Sequence, residues 1–336
     1  MKYCITGSAG FIGNHVALAL LEAGHEVIGI DNLTDYYDVG LKEARLERLT
    51  SFKGFTEARI DIADQAALET EFKTHQPEIV INLAAQAGVR HSLSHPRDYL
   101  HSNLTGFLNI LECCRAFPVK HLLYASTSSV YGANTGQPFR EVTPTDHPLT
   151  FYAATKRSNE MMAHAYSHLF NIPCSGLRFF TVYGPWGRPD MAYYKFTRAI
   201  MAGDTIDIYN NGDMYRDFTY IDDIVSGIIK LCDVVPEKNS NWDGDNPAPD
   251  SSGAAPFQLY NIGNSQVIPL MDFVKTLEDV IGKKAIKNMM PMQMGDVHLT
   301  RADTSKLEAA TGFKPSTSVK QGLAKFIDWY RDYYRT

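Results

Sequence analysis

The sequence predicts an α/β fold that combines a doubly wound parallel sheet with a smaller, interleaved C-terminal lobe. In the first half of the chain, short apolar runs alternate with longer segments of helical periodicity. This alternation is typical of a parallel sheet covered on both faces by crossover helices. After Gly184–Gly187 the pattern becomes less regular, which indicates a second, smaller lobe. A chain of 336 residues is long enough for both parts.

Five apolar runs predict the strands of the main sheet. They are Tyr3–Thr6, Glu26–Ile30, Phe55–Ile60, Ile79–Leu83 and Leu122–Ala125. A helix is predicted near Ile12–Ala23, and two short strands, Ile206–Tyr209 and Arg216–Ile221, are predicted in the later part of the chain. In sheets of this kind, ligands bind beyond the carboxyl ends of the strands. Functional residues are therefore expected at the strand ends.

Composition and charge exclude several classes of protein. The formal net charge of −6 and the pI near 6.0 disfavour a surface for nucleic acid or anionic lipid. No apolar run approaches the roughly 20 residues that a membrane helix needs, and no signal-peptide core precedes the first glycines. The five cysteines form no C-x-x-C pair, which favours reduced thiols. We predict a cytoplasmic protein without nucleic-acid, membrane or metal partners.

A glycine-rich turn after the first strand predicts a dinucleotide cradle. Glycines let the backbone turn sharply, approach a pyrophosphate and present the first N–H groups of a helix to it. The predicted contacts in this turn are Gly7, Gly10, Phe11, Ile12 and Gly13. Asp31 ends the second strand, where a carboxylate binds a ribose 2′-OH and repels a 2′-phosphate. This favours NAD over NADP, although a turn or cap role for Asp31 is the alternative.

Residues at other strand ends extend the predicted cradle. Asp61 follows the third strand and is expected near the adenine, with an N-cap on the next helix as the alternative. Small residues after the fourth strand leave room for the cofactor, and core packing explains them almost equally well. The remaining predicted cofactor contacts are Asn32, Ile62, Leu83, Ala84, Ala85 and Asn103.

Tyr152 and Lys156 are predicted to form the reacting centre. They stand at i and i+4, which places them on one face of a helix. Lys156 is expected to lower the pKa of the phenol and to hold the cofactor ribose, so that both residues contact NAD and Tyr152 becomes a base. An exposed surface pair is the alternative. Thr127, in a run of four hydroxyls that closes the fifth strand, is the third catalytic candidate.

Four motifs together resemble the extended short-chain dehydrogenases that act on nucleotide sugars. They are G7-x-x-G10-x-x-G13, the S-T-S-S-V-Y-G run at 126–132, Y152-x-x-x-K156 and R-D-F-T-Y at 216–220. The segments 32–37, 86–90 and 178–191 resemble the UDP-glucuronate 4-epimerase branch. The resemblance spans nearly the whole chain and implies a Rossmann-type fold, NAD, a UDP-sugar substrate and a homodimer.

The resemblance also implies a reaction. Thr127 and Tyr152 contact the C4 hydroxyl of the sugar, and Tyr152 removes its proton while NAD accepts the hydride. The 4-keto sugar then rotates and is reduced on its other face, which converts UDP-glucuronate to UDP-galacturonate. A UDP-glucose/UDP-galactose 4-epimerase is the nearest alternative, and a non-catalytic NAD-binding protein is the alternative from another class.

Further residue roles follow from the same resemblance. Related dehydratases carry Asp-Glu where Ser128 and Ser129 stand here, so elimination of water is disfavoured. Related decarboxylases carry Glu at the position of Ser129, so decarboxylation is disfavoured as well. Ser128, Ser129, Thr181 and Arg188 are predicted to hold the sugar carboxylate, with a loop-stiffening surface arginine as the alternative for Arg188. The resemblance implies that Arg216 contacts the nucleotide diphosphate, Tyr209 the uracil and Asp296 the uridine ribose, with ordinary strand residues as the alternative for Tyr209 and Arg216. Arg90 is a further predicted substrate contact.

Galactose epimerases carry an arginine where this chain has Gln293, so a positive charge is missing there, and Arg301 is the candidate to replace it.

The predicted domains are 1–176 for NAD, with return segments at about 205–232 and 257–263, and 177–204 with 264–336 for substrate. The polar, turn-rich segment 236–256 is predicted to be a flexible loop. Apolar stripes in 104–111 and 161–166 indicate either burial against the sheet or a subunit interface.

Overall fold

Twelve strands form three sheets in the computed structural model, which describes residues 1–336. The strands are β1 (Lys2–Thr6), β2 (Glu26–Ile30), β3 (Phe55–Ala58), β4 (Ile79–Asn82), β5 (His121–Thr127), β6 (Cys174–Phe179), β7 (Thr181–Tyr183), β8 (Thr205–Ile208), β9 (Tyr215–Tyr220), β10 (Phe257–Ile262), β11 (Val267–Pro269) and β12 (Ile286–Met289). Every predicted strand is present, with ends that differ by at most two residues.

The helices are α1 (Phe11–Glu22), α2 (Val39–Thr50), α3 (Gln65–His75), α4 (His91–Ser94), α5 (Pro96–Tyr99), α6 (Gly106–Ala116), α7 (Phe151–Phe170), α8 (Ala192–Ala202), α9 (Ile221–Cys232), α10 (Leu270–Ile281), α11 (Ser305–Thr311) and α12 (Val319–Tyr334). A π-helical turn covers Leu100–Thr105, and 3₁₀ turns cover Ser128–Tyr131 and Tyr209–Gly212. None of the helices is both long and apolar enough to cross a bilayer.

The main sheet has seven parallel strands in the order β3-β2-β1-β4-β5-β6-β10. Its first six strands have the order of a Rossmann fold, and the direction of winding reverses between β1 and β4. A crevice opens at that reversal, beyond the carboxyl ends of the strands. The predicted fold class is confirmed.

Helices bury both faces of the main sheet, which explains why its strands are apolar runs rather than alternating sequences. Successive side chains of a strand point to opposite faces. In β1, Tyr3 and Ile5 accordingly belong to one apolar core, while Cys4 belongs to a second. The two cores fix the height at which β1 ends and the glycine turn begins.

The later strands form two smaller sheets, one with the order β11-β9-β7 and one that pairs β12 with β8. Residues 257–262 return to the main sheet as β10, whereas 205–220 lie in the small sheets and only α9 packs against α1. The predicted return of 205–232 is therefore limited to α9, because β8 buries only alternate residues and suits a small sheet. In addition, β6 continues to Phe179, beyond the predicted boundary at 176.

The segment 236–256 contains no helix or paired strand, as its composition predicts. It is nevertheless tied together by hydrogen bonds, from Asn239 N to the carbonyl oxygen of Ser252 (2.9 Å) and from Trp242 Nε1 to that of Ala248 (3.1 Å). Its flexibility, and the other predicted lobe boundaries, remain predictions.

Candidate active site

A cavity of about 950 Å³ extends from the ends of β1 and β4 into the smaller lobe. Every predicted cofactor, catalytic and substrate residue lines this cavity except Asn103. The volume is at the upper end of the range for small-molecule sites, about 300–1,000 Å³. Residues that are far apart in the sequence therefore converge on one site that is large enough for an extended ligand.

The glycine turn is shaped by close backbone contacts. Gly7 has φ +75°, and a Cβ there would lie 2.9 Å from the backbone nitrogen of Ala84. A Cβ on Gly13 would lie 2.1 Å from the carbonyl oxygen of Gly7. Helix α1 starts at Phe11 without a side-chain cap, so its first N–H groups remain available to an anion. The turn fits the pyrophosphate of NAD.

Two carboxylates stand beyond this turn. Asp31 accepts hydrogen bonds from the backbone N–H groups of Ala9 (3.0 Å) and Leu33 (2.9 Å), which fix its side chain at the end of β2. Asp61 accepts from Asn32 Nδ2 at 2.8 Å. Both lie where the ribose and adenine of NAD would bind, so the donor and acceptor set at this end fits the cofactor.

Asn103 has a different place from the one predicted. It lies in the π-helical turn, is buried, and clamps the backbone of Gln86: its Oδ1 accepts from Gln86 N at 2.9 Å and its Nδ2 donates to Gln86 O at 3.1 Å. Nδ2 also donates to Thr155 Oγ1 at 3.0 Å. These bonds occupy the carboxamide, so Asn103 supports the cavity wall instead of lining it.

Helix α7 carries the catalytic candidates. Thr150 caps its start by accepting from Ala153 N at 3.2 Å, which places Tyr152 in the first turn. One turn later, Lys156 is buried and donates from Nζ to the carbonyl oxygen of Ala125 at 2.9 Å. Thr127, at the end of β5, donates to Ser129 Oγ at 3.2 Å. The three predicted catalytic residues line one part of the cavity.

The electrostatics differ from the sequence prediction. Burial raises the pKa of Tyr152, while hydrogen bonding with Thr127 and the positive charge of Arg188 lower it. The ammonium of Lys156 donates to the carbonyl oxygen of Ala125 and not to the phenol. Burial also lowers the pKa of Lys156 to about 8, with Glu160 acting in the opposite direction. In the protein alone, Tyr152 is therefore a protonated phenol at neutral pH.

A buried ion pair behind this centre was not predicted. Glu160, one turn after Lys156, accepts from Arg178 Nε (2.8 Å) and Nη2 (2.9 Å), and both side chains are fully buried. Ser126 donates to the same carboxylate at 2.7 Å. The pair joins α7 to β5 and β6. A charged residue inside the apolar run Cys174–Phe180 was the available sequence signal.

Arg188 lines the cavity together with Ser128, Ser129 and Thr181, as the resemblance implies. Its guanidinium is not free, however. It donates from Nε to Asp190 Oδ1 at 3.0 Å and from Nη2 to Asp190 Oδ2 at 2.6 Å. The predicted anchor for a carboxylate is thus already paired with a carboxylate of the protein.

Arg90 and the three predicted nucleotide contacts, Tyr209, Arg216 and Asp296, lie together at the far end of the cavity. Arg90 donates to Asp296 at 3.2 Å and its guanidinium lies 4.8 Å from the centre of the Tyr209 ring. Arg216 donates to the carbonyl oxygen of His298 at 3.0 Å, and burial lowers its pKa. Arg301 does not line the cavity and donates instead to the carbonyl oxygen of Ser265, so it does not replace the missing charge.

Arg45 is a further residue that the sequence prediction missed. It is fully buried on α2 and donates to the carbonyl oxygens of Ala9 (3.0 Å), Trp186 (2.7 Å) and Gly187 (2.9 Å). Ala9 belongs to the glycine turn, and Trp186 and Gly187 directly precede Arg188. Arg45 therefore connects the two ends of the cavity. Its sequence signal is weak, because an arginine among charged helix residues normally lies on the surface.

Known proteins resemble the chain over its whole length. The model of the NAD dependent epimerase/dehydratase family matches residues 3–242. Protein CapI of Staphylococcus aureus is 53% identical over 335 residues and all of both chains. A probable UDP-glucuronate 4-epimerase of Rhizobium meliloti is 51% identical over 100% of this chain and 98% of its own.

Among solved structures, UDP-glucuronic acid 4-epimerase from Bacillus cereus, in complex with UDP-glucuronic acid and NAD, has a TM-score of 0.88 and 32% identity, and the match covers 99% of this chain and 100% of that one. The predictions of a nucleotide-sugar epimerase-type enzyme and of NAD as its cofactor are confirmed. The chain belongs to the NAD dependent epimerase/dehydratase family.

Proposed function

We propose that this enzyme inverts C4 of UDP-glucuronate to give UDP-galacturonate, through a transient 4-keto sugar and with NAD retained. The observation that carries this proposal is the convergence of Ser128, Ser129, Thr181 and Arg188 on the cavity that also contains Tyr152. Hydroxyl and guanidinium groups are suitable donors for a carboxylate. A uronate offers these donors a negative charge that a neutral hexose lacks.

Each catalytic candidate has a separate task in this reaction. Tyr152 takes the proton of the 4-hydroxyl, Thr127 holds the same oxygen, and Lys156 binds the cofactor ribose. When bound, oxidised NAD supplies the hydride acceptor at C4 and a positive charge beside the phenol. That charge offsets the burial that raises the pKa of Tyr152 in the protein alone. After the 4-keto sugar has rotated to present its other face and the hydride has returned to C4, Tyr152 returns the proton to the oxygen at C4.

The 4-keto uronate is a β-keto acid and loses carbon dioxide if its C5–C6 bond aligns with the carbonyl π system. The enzyme therefore has to hold the carboxylate out of that alignment. Ser128 and Ser129 are uncharged and line the cavity next to Thr127. They hold a carboxylate by hydrogen bonds and offer no acid for dehydration. This favours epimerisation over both side reactions.

One observation favours a second candidate, a UDP-glucose/UDP-galactose 4-epimerase. Because Arg188 is paired with Asp190, its charge is already balanced before substrate binds. A neutral sugar would leave this pair intact. A non-catalytic NAD-binding role is disfavoured, because Thr127, Tyr152 and Lys156 all line the cavity.

The nucleotide is proposed to bind at the far end of the cavity. Tyr209 offers a ring for the uracil, Arg216 a charge for the diphosphate and Asp296 an acceptor for the uridine ribose. Arg90 is paired with Asp296 in the ligand-free protein and is available to the diphosphate once that pair opens.

A homodimer is proposed through α6 and α7. Phe107 and Leu111 face the core, whereas Leu108, Met161 and Leu169 are exposed on the outer faces of these helices. A second copy would cover them. Sedimentation of the purified protein, compared with Met161→Glu, measures this: a monomeric wild type would contradict it.

The substrate is tested by incubating the purified enzyme separately with UDP-glucuronate and UDP-glucose. Product NMR then gives the C4 configuration and the carbon count. We expect inversion of the uronate with all six sugar carbons retained and with a higher kcat/KM than for UDP-glucose. Preference for the neutral sugar would support the second candidate, and a pentose product would indicate a decarboxylase.

A further inference from the structure

The most informative feature outside the expected chemistry is the environment of Arg188. Its partner Asp190 belongs to the same loop, two residues later, and takes the edge of the guanidinium formed by Nε and Nη2. The remaining bond from Nη2 is long, 3.5 Å to the carbonyl oxygen of Ala87. Nη1 forms no hydrogen bond within the protein. One end of the guanidinium is thus fixed and the other is free.

A second residue fixes Asp190 from the opposite side of the cavity. Tyr36, in the loop after β2, donates its hydroxyl hydrogen to Asp190 Oδ2 at 3.4 Å. The hydroxyl reaches this place because Gly88, at φ +118°, has no side chain: a Cβ there would lie 2.8 Å from the Tyr36 oxygen. Tyr36, Asp190 and Arg188 all line the cavity. Tyr36 therefore holds Asp190, and Asp190 holds the edge of the Arg188 guanidinium opposite Nη1.

We propose that Asp190 and Tyr36 are positioning residues that orient Arg188 so that its Nη1 end meets the substrate carboxylate. This inference rests on the proposed uronate substrate and names residues that set the specificity. Neither residue takes part in the proton transfer. Both act on the sugar through Arg188.

The alternative role for Asp190 is that of a placeholder, which leaves the guanidinium when the substrate carboxylate arrives. The charges in the cavity favour the positioning role. Lys195 also lines the cavity and helps to hold the pKa of Asp190 below its usual value, after the larger effect of Arg188. Two cations then balance two carboxylates, so Asp190 stays ionised and in place when the uronate binds. A guanidinium has five N–H donors and serves both carboxylates at once.

The two roles predict opposite effects of the isosteric change Asp190→Asn. If Asp190 is a positioning residue, its support would be weakened, because the carboxamide keeps only one acceptor oxygen and its NH2 group faces the second N–H donor of Arg188, which would become more mobile. A placeholder would be weakened, and the uronate would bind more tightly. The measurement is the Kd of UDP-glucuronate and of UDP-glucose, by calorimetry on the NAD-loaded enzyme.

For Asp190→Asn we expect the Kd of UDP-glucuronate to rise about tenfold while that of UDP-glucose changes less than twofold. Tyr36→Phe removes only the outer support, and we expect a rise of about threefold, again for the uronate alone. Controls are Asp279→Asn and Tyr166→Phe, an exposed acid and a half-buried tyrosine of α7 that donates to Glu112 of α6, both outside the cavity. Thermal unfolding of each variant verifies its fold.

The outcomes separate this inference from the proposed function. If the wild type binds UDP-glucose more tightly than UDP-glucuronate, the proposed function fails and this inference fails with it. If the wild type prefers the uronate but Asp190→Asn binds it equally well or better, only the positioning role is overturned. An equal loss for both ligands also overturns it, because that pattern indicates general damage to the cavity.

Discussion

The two ends of the cavity are formed by different kinds of chemical group. The cofactor end is formed mainly by backbone groups and glycines, and a Cβ at Gly7 or Gly13 would collide with neighbouring backbone. The sugar and nucleotide end is formed by charged side chains that pair with one another, as in Arg90 with Asp296 and Arg188 with Asp190. The first end is preorganised for its ligand, whereas the second has to reorganise at least one ion pair when substrate binds. Variants at the two ends should therefore fail in different ways.

Tyr152→Phe is expected to have the largest effect on activity. It tests whether turnover can be lost while the protein still retains NAD. General acid–base groups contribute about 10²–10⁴-fold to turnover, so we expect kcat to fall by about 10³-fold or more. The NAD content of the purified protein should stay at the wild-type value, because the glycine turn is unchanged. The control is Tyr166→Phe, on the same helix. Unchanged turnover would remove Tyr152 from its proposed role.

Arg45→Ala should impair both ends of the cavity at once. The change leaves the carbonyl oxygens of Ala9, Trp186 and Gly187 buried without their donor. Leaving a buried acceptor without its donor costs about 1–3 kcal/mol in the free energy of unfolding. We expect that loss in urea denaturation, together with lower NAD retention and weaker UDP-sugar binding.

The matched control for Arg45 is Arg115→Ala, at an exposed pair with Glu112 on α6, where the change should stay within about 0.5 kcal/mol. If Arg45→Ala lowered only the NAD content and left sugar binding intact, Arg45 would belong to the cofactor end alone.

Arg90→Ala tests the far end by itself. Removing a charged hydrogen-bond donor to the ligand costs about 1.5–3 kcal/mol, so we expect the KM for the UDP-sugar to rise about 10- to 100-fold. The kcat and NAD content should change less than threefold. Arg140→Ala, at the Arg140–Asp303 pair outside the cavity, is the control. A fall in kcat with an unchanged KM would contradict a role in nucleotide binding.

The same contrast explains what could be predicted from the sequence. The glycine turn and the Tyr152/Lys156 pair are local patterns whose geometry follows from one turn or one helix, and their positions were predicted correctly. Long-range pairs carry no such pattern: Arg90 and Asp296 are 206 residues apart, and Arg45 meets Trp186 across 141 residues. The bonds of Asn103 to Gln86, from within a π-helical turn, likewise have no local sequence pattern. The charge state of the centre was also missed, since burial was not visible in the sequence.

Lys156 is the exception at the cofactor end, because it is a charged side chain. Its replacement gives the smallest expected change in the free energy of unfolding. It is a buried ammonium that donates to a neutral carbonyl, and burial lowers its pKa to about 8. Since the unfolded value is higher, the unfolded chain binds more protons between about pH 8 and 10.5. The cost of burying this charge is thus fully present below pH 8, and the free energy of unfolding should increase as the pH rises through that window.

Lys156→Met removes the buried charge and leaves the Ala125 carbonyl without its donor, a partial offset. We expect the NAD-free variant to be about 1–2 kcal/mol more stable than the NAD-free wild type at pH 7, although it should lose activity. This difference should shrink as the pH approaches 10, because the wild-type lysine is then neutral in the folded state. Urea denaturation at pH 7, 8.5 and 10 measures it. A stability difference independent of pH would mean that the pKa of Lys156 is the same in the folded and unfolded chains, and that burial of the ammonium carries no cost.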